Sequence, residues 1–278
     1  MWSTIECPIS NRECPTEDRS RCQTRKGPAI EAYAVQQVQR PSSLDISCSV
    51  LDIRGPTHSH TVGDSYLCWR LLPLRPPCTL SSIMAKLPIS FYRRSDVVRI
   101  ARELLGKYLL TRIDGKTITG GIIVETEAYA GISDRASHAF GGRRTKRTET
   151  MFRPGGVTYV YLCYGVHSLL NIVTNVENVP DAVLIRAIEP AVGVKAMLRR
   201  RNRKSLDKTV AGGPGTLTGA LGVNCSHDEE DLTGRRIWIE DRGHVLKSND
   251  IISSPRVGVG YAGKDALRPW RFQLISHL

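Results

Sequence analysis

Apolar and polar positions follow two regimes along the chain, and the change falls near Met84. Residues 1–83 keep neither a helical nor a strand period over any useful length. Pro, Ser, Arg and Cys interrupt each apolar run, as in "RGPTHSHTVGDSYLCWRLLPLRPPC". This pattern predicts a poorly ordered extension over 1–83, with a small disulfide module or a targeting extension as the alternative. "MAKLPISFYRR" at Met84 reads like a natural beginning.

Beyond it the periods become regular. Val97, Ile100, Ala101, Leu104 and Leu105 recur at helical spacing, with Ser95 as the expected cap and Gly106 as the stop. "KYLLTRIDGKTITGGIIVETEAY" predicts a hairpin turning tightly at Asp114-Gly115. "GVTYVYLCYGVHSLLNIVT" predicts a second, with its tip at Tyr164-Gly165. "DAVLIRAIEP" reads as a buried strand and "AVGVKAMLRRRNRK" as a basic helix. Another helix is expected to open at Pro214 in "AGGPGTLTGALGV", and "RRIWIED" and "RPWRFQLI" supply late strands. With no repeat and no clear linker, residues 84–278 are expected to form one mixed α/β domain of mainly antiparallel strands.

Charge narrows the function. Of 39 Lys and Arg, nine precede Met84, and of 27 Asp and Glu, eight do, so residues 84–278 carry a net +11. Such an excess favours a polyanionic partner, nucleic acid or an anionic membrane surface. The strongest basic runs are Arg143, Arg144, Lys146 and Arg147 in "GGRRTKRTE", and Arg199 to Lys204 in "RRRNRK". They suit phosphate contacts, although either run also fits a solvated face. Six of the eight cysteines precede Met84 without a CxxC pair, which gives a zinc site little support. Without a secretory pattern, or a run of about 18 apolar residues, the expectation is an intracellular protein that spans no membrane.

The candidate chemistry starts at "GIIVETEAYAGISDRASHAF". In a regular strand Ile123, Glu125, Glu127 and Tyr129 share one face, with the carboxylates about 7 Å apart. That spacing fits an acid–base pair of a sugar hydrolase, or equally a solvated edge, and does not choose between the glutamates. Tyr159, Tyr161 and Tyr164 crowd one hairpin. Cross-strand packing accounts for Tyr159, but Tyr164 at the tip is placed to stack on or wedge between bases. Asn171, among the apolar residues of "SLLNIVT", reads as a base-edge reader or a satisfier of backbone groups. Arg186, inside "AVLIRAIEP", needs an anionic partner, and a strand-end glutamate is the candidate. "GGPGTLTG" lacks the Lys-Ser/Thr of a P-loop, while its helix N-terminus still suits a phosphate.

In order along the chain, "IVETEAYAG", "ASHAFGGRRT", "MFRPGGVTYVYLCYGVHSLLNIVT", "VLIRAIEP", "GGPGTLTGALGV" and "RVGVGYAG" closely resemble the 3-methyladenine (alkyladenine) DNA glycosylase family. The likeness runs from about Leu87 to Phe272 and leaves residues 1–83 without a counterpart. It implies an α+β domain built on a curved antiparallel sheet, with a hairpin protruding into DNA. The implied activity is removal of alkylated purines from duplex DNA by water, with no metal or cofactor and no lysine adduct; the protein is expected to act as a monomer. By the same resemblance Glu127 is the general base, helped by Arg186 and the backbone carbonyl of Val257 in holding the water. Tyr129, His138 and Tyr161 line the pocket of the flipped base, Asn171 crowds the guanine amino group, and Tyr164 is the wedge. Val166, His167 and "SLL" before Asn171 depart from the pattern of the family's vertebrate branch, which bears on the breadth of the pocket. Two other readings stand beside this one. A sugar hydrolase would use Glu125 and Glu127 together, and a non-enzymatic nucleic-acid or RNA-binding module would use neither.

Overall fold

The computed structural model describes residues 85–277. The expectations for the N-terminal extension and its six cysteines lie outside the described residues. The elements are β1 (Ala85–Lys86), α1 (Ile89–Tyr92), α2 (Val97–Glu103), β2 (Tyr108–Thr111), β3 (Thr119–Ala130), β4 (Thr158–Cys163), β5 (His167–Thr174), β6 (Asp181–Val192), α3 (Val194–Arg200), α4 (Pro214–Leu221), β7 (Ile237–Asp241), β8 (Ile251–Ser254) and β9 (Arg271–Leu274).

The strands form one sheet in the order β1-β7-β2-β3-β6-β5-β4, and every pairing is antiparallel. β3 is its spine. On one edge it pairs first with β2 and then, from Glu125 to Glu127, with β9, which carries β8 beyond it. On the other edge it pairs with β6 throughout. Three register shifts interrupt that long ladder, at Gly120/Gly121, Ile123/Glu125 and Glu125/Thr126. Bulges bend strands and raise their twist, so the two longest strands curl together. The result is the curved antiparallel sheet with a few helices that the family likeness implied, an α+β domain.

α2 packs on β3 and β6, and α4 on β5 and β6. Ile100, Ala101 and Leu104 meet Ile172, Val183 and Ile185, while Leu217, Ala220 and Leu221 complete the same core. Each fully buried Leu or Ile contributes about 1.5–3 kcal/mol of transfer free energy. Two small clusters lie apart from it. One gathers Met151, Phe152 and Tyr159 with Tyr161, and the other Ala136, Val259 and Ala262 with Tyr129.

Local details differ from expectation for identifiable reasons. The cap of α2 is Asp96, not Ser95, because the Asp96 carboxylate accepts the Arg99 N–H at 2.9 Å. Pairing of β2 with β3 stops at Thr111↔Thr119, so the connection is a longer loop in which Asp114 accepts from Lys116 and Thr117 N–H rather than a tight two-residue turn. The second hairpin forms as expected. Tyr164 (φ 51°) and Gly165 (φ 69°) both take positive φ, and Val166 N–H closes onto Cys163 O at 3.1 Å. That is the turn geometry whose twist matches its strands. The strand at Asp181 and the helix at Pro214 are present, the basic helix ends at Arg200, and β8 is an additional strand.

Candidate active site

β3 delivers Glu125, Glu127 and Tyr129 to one place, but not by simple alternation. Val124 has no partner in the register between Ile123↔Ile188 and Glu125↔Ala187, and across the ladder Arg186 is skipped between Ala187 and Ile185. Ile123 consequently belongs to the main core rather than to the carboxylate face. The bulge at Arg186 re-aims its guanidinium along the sheet, as bulges beside functional sites do. The anionic partner expected for Arg186 is in fact two partners. Its Nε donates to Glu125 Oε1 at 2.6 Å, and its Nη1 lies 3.3 Å from Glu127 Oε1.

Glu127 is wholly buried. Its Oε1 also accepts the Val257 N–H at 2.8 Å, and its Oε2 accepts the Tyr129 hydroxyl at 2.8 Å. All three neighbours are donors, the set that an ionised carboxylate satisfies. Burial first, then the charge of Glu127, push the Tyr129 phenol well above its ordinary value, so the hydroxyl keeps its proton and its donor role. Val257 reaches the carboxylate through its N–H, whereas the resemblance assigned its carbonyl to the water.

The loop that carries Val257 is anchored next door. Arg256 and Asp134 form a fully buried ion pair at 2.5 Å, and Arg256 Nη1 also donates to Ala128 O at 2.8 Å. The same guanidinium lies over the rings of Tyr129 and Trp270, 4.8 and 5.1 Å from their centroids. Unpaired, either charge would cost several kcal/mol at this depth.

The second wall is aromatic. His138 meets Tyr161 edge-on at 4.6 Å between centroids, and its Nδ1 hydrogen-bonds the Tyr159 hydroxyl at 3.0 Å. Tyr159 is buried, as cross-strand packing requires. The Arg147 guanidinium lies over the Tyr161 ring at 5.1 Å. Burial, and then the charges of Arg147 and Arg143, lower the His138 pKa to about 4, leaving a neutral ring. Asn171 sits opposite Tyr159 in the ladder and donates its Nδ2 to Tyr159 O at 3.1 Å, the backbone-satisfying arrangement that its position allowed. Tyr164 stands at the hairpin tip, 63% exposed, flanked by the exposed Leu162 and Val166.

Of the residues named from the sequence, Glu125, Glu127, Tyr129, Arg186 and Val257 meet at the carboxylates. His138, Tyr161 and Asn171 gather around Tyr159, and Tyr164 lies apart at the hairpin tip. Three further residues at the site were not named. Arg271 on β9 donates its Nε to Glu125 Oε1 at 2.6 Å. Its signal was a charge directly between the aromatic residues Trp270 and Phe272 in "RPWRFQLI". Arg256 and Asp134 left no signal, because a buried pair formed by residues 122 apart looks like two surface charges in sequence. Of the basic runs, Arg143 and Arg147 border the aromatic wall. In the other run Arg200 is spent internally, donating to Thr119 Oγ1 and Ala220 O.

A curled antiparallel sheet thus holds a buried carboxylate–arginine pair beside an aromatic wall. Comparison with known proteins supplies the family. The methylpurine-DNA glycosylase family matches residues 90–277. A protein of Chlamydia felis is 44% identical over 189 residues, covering 68% of this chain and 95% of its own length. One of Desulfitobacterium hafniense is 42% identical over 198 residues, covering 69% and 96%. A third, from Clostridium perfringens, is 40% identical over 192 residues, covering 66% and 93%. All three are named, as an inferred assignment, 3-methyladenine DNA glycosylase. The chain belongs to the methylpurine-DNA glycosylase family and is a DNA glycosylase, a hydrolase of the N-glycosidic bond. No helix among the described residues is long and apolar enough to cross a membrane.

Proposed function

We propose that this enzyme is a monofunctional glycosylase of base excision repair, acting as a monomer on alkylated and otherwise damaged purines in duplex DNA. In this reading Tyr164 enters the stack as the damaged nucleotide leaves it, and the base is received between Tyr129 and the His138–Tyr161 wall. Flipping costs a few kcal/mol, least for damaged or mispaired bases. Asn171, fixed through its Nδ2, presents a rigid polar edge beside that wall and discriminates against the guanine amino group. The domain is residues 84–278, and its work is on DNA inside the cell.

The chemistry needs few groups. A water held at Glu127 attacks C1′ of the damaged nucleotide and passes a proton to the carboxylate. The C1′–N bond electrons leave with the purine, so a cationic N-alkylpurine departs neutral and an abasic sugar remains. General-base help of this kind is typically worth 10²–10⁴-fold. Arg186, and the Val257 backbone at the same carboxylate, orient the water. A cationic base is an electron-poor partner for the tyrosine faces and is repelled less by a neutral His138 than by a charged one.

The observation that carries this reading is the wholly buried Glu127 held by Arg186, Tyr129 and the Val257 N–H beside the aromatic wall. Incubation with a duplex carrying one hypoxanthine or ethenoadenine, followed by alkali, is expected to cleave the strand at the lesion. Glu127→Gln is expected to lose at least about 100-fold in single-turnover rate. Borohydride trapping is expected to give no protein–DNA adduct. Absence of cleavage on these lesions and on bulk methylated DNA overturns the reading, and full activity in Glu127→Gln reassigns the base.

A further inference from the structure

One carboxylate suffices for the proposed hydrolysis, yet two stand together on β3. Glu125 binds two cations through a single oxygen. The Nε of Arg186, from β6, and the Nε of Arg271, from β9, both approach its Oε1 at 2.6 Å. Arg271 is the direct cross-strand partner of Glu127 in the ladder, so it reaches Glu125 diagonally. A stripe of alternating charge thus crosses three strands, Arg271, Glu125, Arg186 and Glu127 in turn, and its formal charges cancel. All four side chains are largely buried, with relative exposures of 23%, 10%, 13% and 0% in that order.

The distances in that stripe are unequal. Arg186 is closely paired to Glu125 and stands further back, at 3.3 Å, from Glu127. A guanidinium closed tightly onto a carboxylate orients it but weakens it as a base, since the attraction that holds the pair also opposes proton uptake. A guanidinium free to turn away gives neither orientation nor charge. We propose that Glu125 and Arg271 are positioning residues for the reaction: Glu125 draws Arg186 back from Glu127, and Arg271 neutralises Glu125 so that the withdrawal is partial. The second carboxylate is then the counterweight that leaves the first reactive. This rests on the glycosylase reading and extends it to two residues that touch neither base nor water.

The groups facing Glu127 limit the alternatives. They are the Tyr129 hydroxyl on its own strand, Arg186 on β6, Arg271 opposite on β9, and Arg256 with its partner Asp134 beside Val257. Arg256 is committed to Asp134, and Tyr129 stays protonated. Changes of charge at Glu125 or Arg271 are therefore felt through Arg186 or directly across the ladder.

The test is the pH profile of single-turnover excision from a hypoxanthine duplex by the full chain, with thermal unfolding and binding to an uncleavable duplex measured in parallel. Glu125→Gln lets Arg186 close on Glu127, so the acid-side midpoint of the rate is expected to fall, by about one pH unit. Arg271→Met removes a cation, so the midpoint is expected to rise by a similar amount. The double variant is expected to lie between them, and Arg271→Lys to hold the wild-type midpoint. Duplex affinity is expected to change no more than about twofold in each, because no group that meets DNA is altered. Midpoints that stay put, or move in the same direction in both single variants, overturn the positioning role while the glycosylase reading survives. A wild-type protein that releases no base overturns that reading instead. Should Arg271→Met fail to fold, the direction of the Glu125→Gln shift alone decides.

Discussion

At the scale of single residues, His138 beside Tyr159 and Tyr161 is kept uncharged at some cost to the fold. His138 loses its proton more readily than a free imidazole, with a pKa of about 4, because it is buried and faces Arg147 and Arg143. Between that value and the ordinary 6.5, the unfolded chain binds a proton that the folded chain refuses, so stability from this group rises with pH. It is complete above about 6.5 and lost as pH falls towards 4, and the ring's partial exposure makes about 3 kcal/mol an upper bound. Asp181, raised by burial to about 6, runs the opposite way over much of the same window and masks part of the slope. The clean measurement is a difference. The stability of wild type relative to His138→Gln, followed by denaturant unfolding, is expected to decline as pH drops from 6.5 to 4. A difference independent of pH would mean that the imidazole protonates freely in the folded protein.

At the scale of elements, the hairpin of β4 and β5 joins a rigid base to an exposed apolar tip. Tyr159 and Asn171 lock its root, while Leu162, Tyr164 and Val166 stand in solvent at its end. Tyr164→Ser is expected to slow excision of lesions that are base-paired and to affect unpaired lesions much less, read as single-turnover rates on matched duplex and single-stranded substrates. Equal slowing on both would assign the residue to the pocket. This element was legible in the sequence because period-two alternation and a Tyr-Gly turn are local signals. The bulges at Val124 and Arg186 were not, since each breaks the alternation from which faces are read. That is why Ile123 was expected among the carboxylates and belongs to the core. Spacing likewise left Glu125 and Glu127 equal, and only the family resemblance chose between them. In the structure their partners differ: Arg186 from β6 and Arg271 from β9 close on Glu125, while Tyr129, the Val257 loop and, at longer range, Arg186 meet Glu127.

At the scale of the whole molecule, charge is sorted by task. Arg143 and Arg147 border the aromatic wall, whereas Arg200 is tied to backbone and Thr119, so equal-looking basic runs stand in different surroundings. Duplex binding is expected to weaken with salt. The slope of log affinity against log salt should shrink by about 2 in Arg143→Ala/Arg147→Ala, and hardly at all in Arg200→Ala. A slope lost only in the latter would move the phosphate track to the α3 end of the molecule. The sequence placed the net charge on the right part of the chain but gave no means of telling a phosphate contact from an internal brace.

The buried Arg256–Asp134 pair has a mechanical meaning at this same scale. Val257, whose N–H meets Glu127, follows directly on Arg256, and the Arg256 guanidinium is held by a carboxylate, a carbonyl and two rings. The floor of the site is thus a finished casting before any substrate arrives. On the proposed glycosylase reading, the bending and unstacking of the encounter then fall on the DNA, and a duplex already weakened by damage is the one expected to yield.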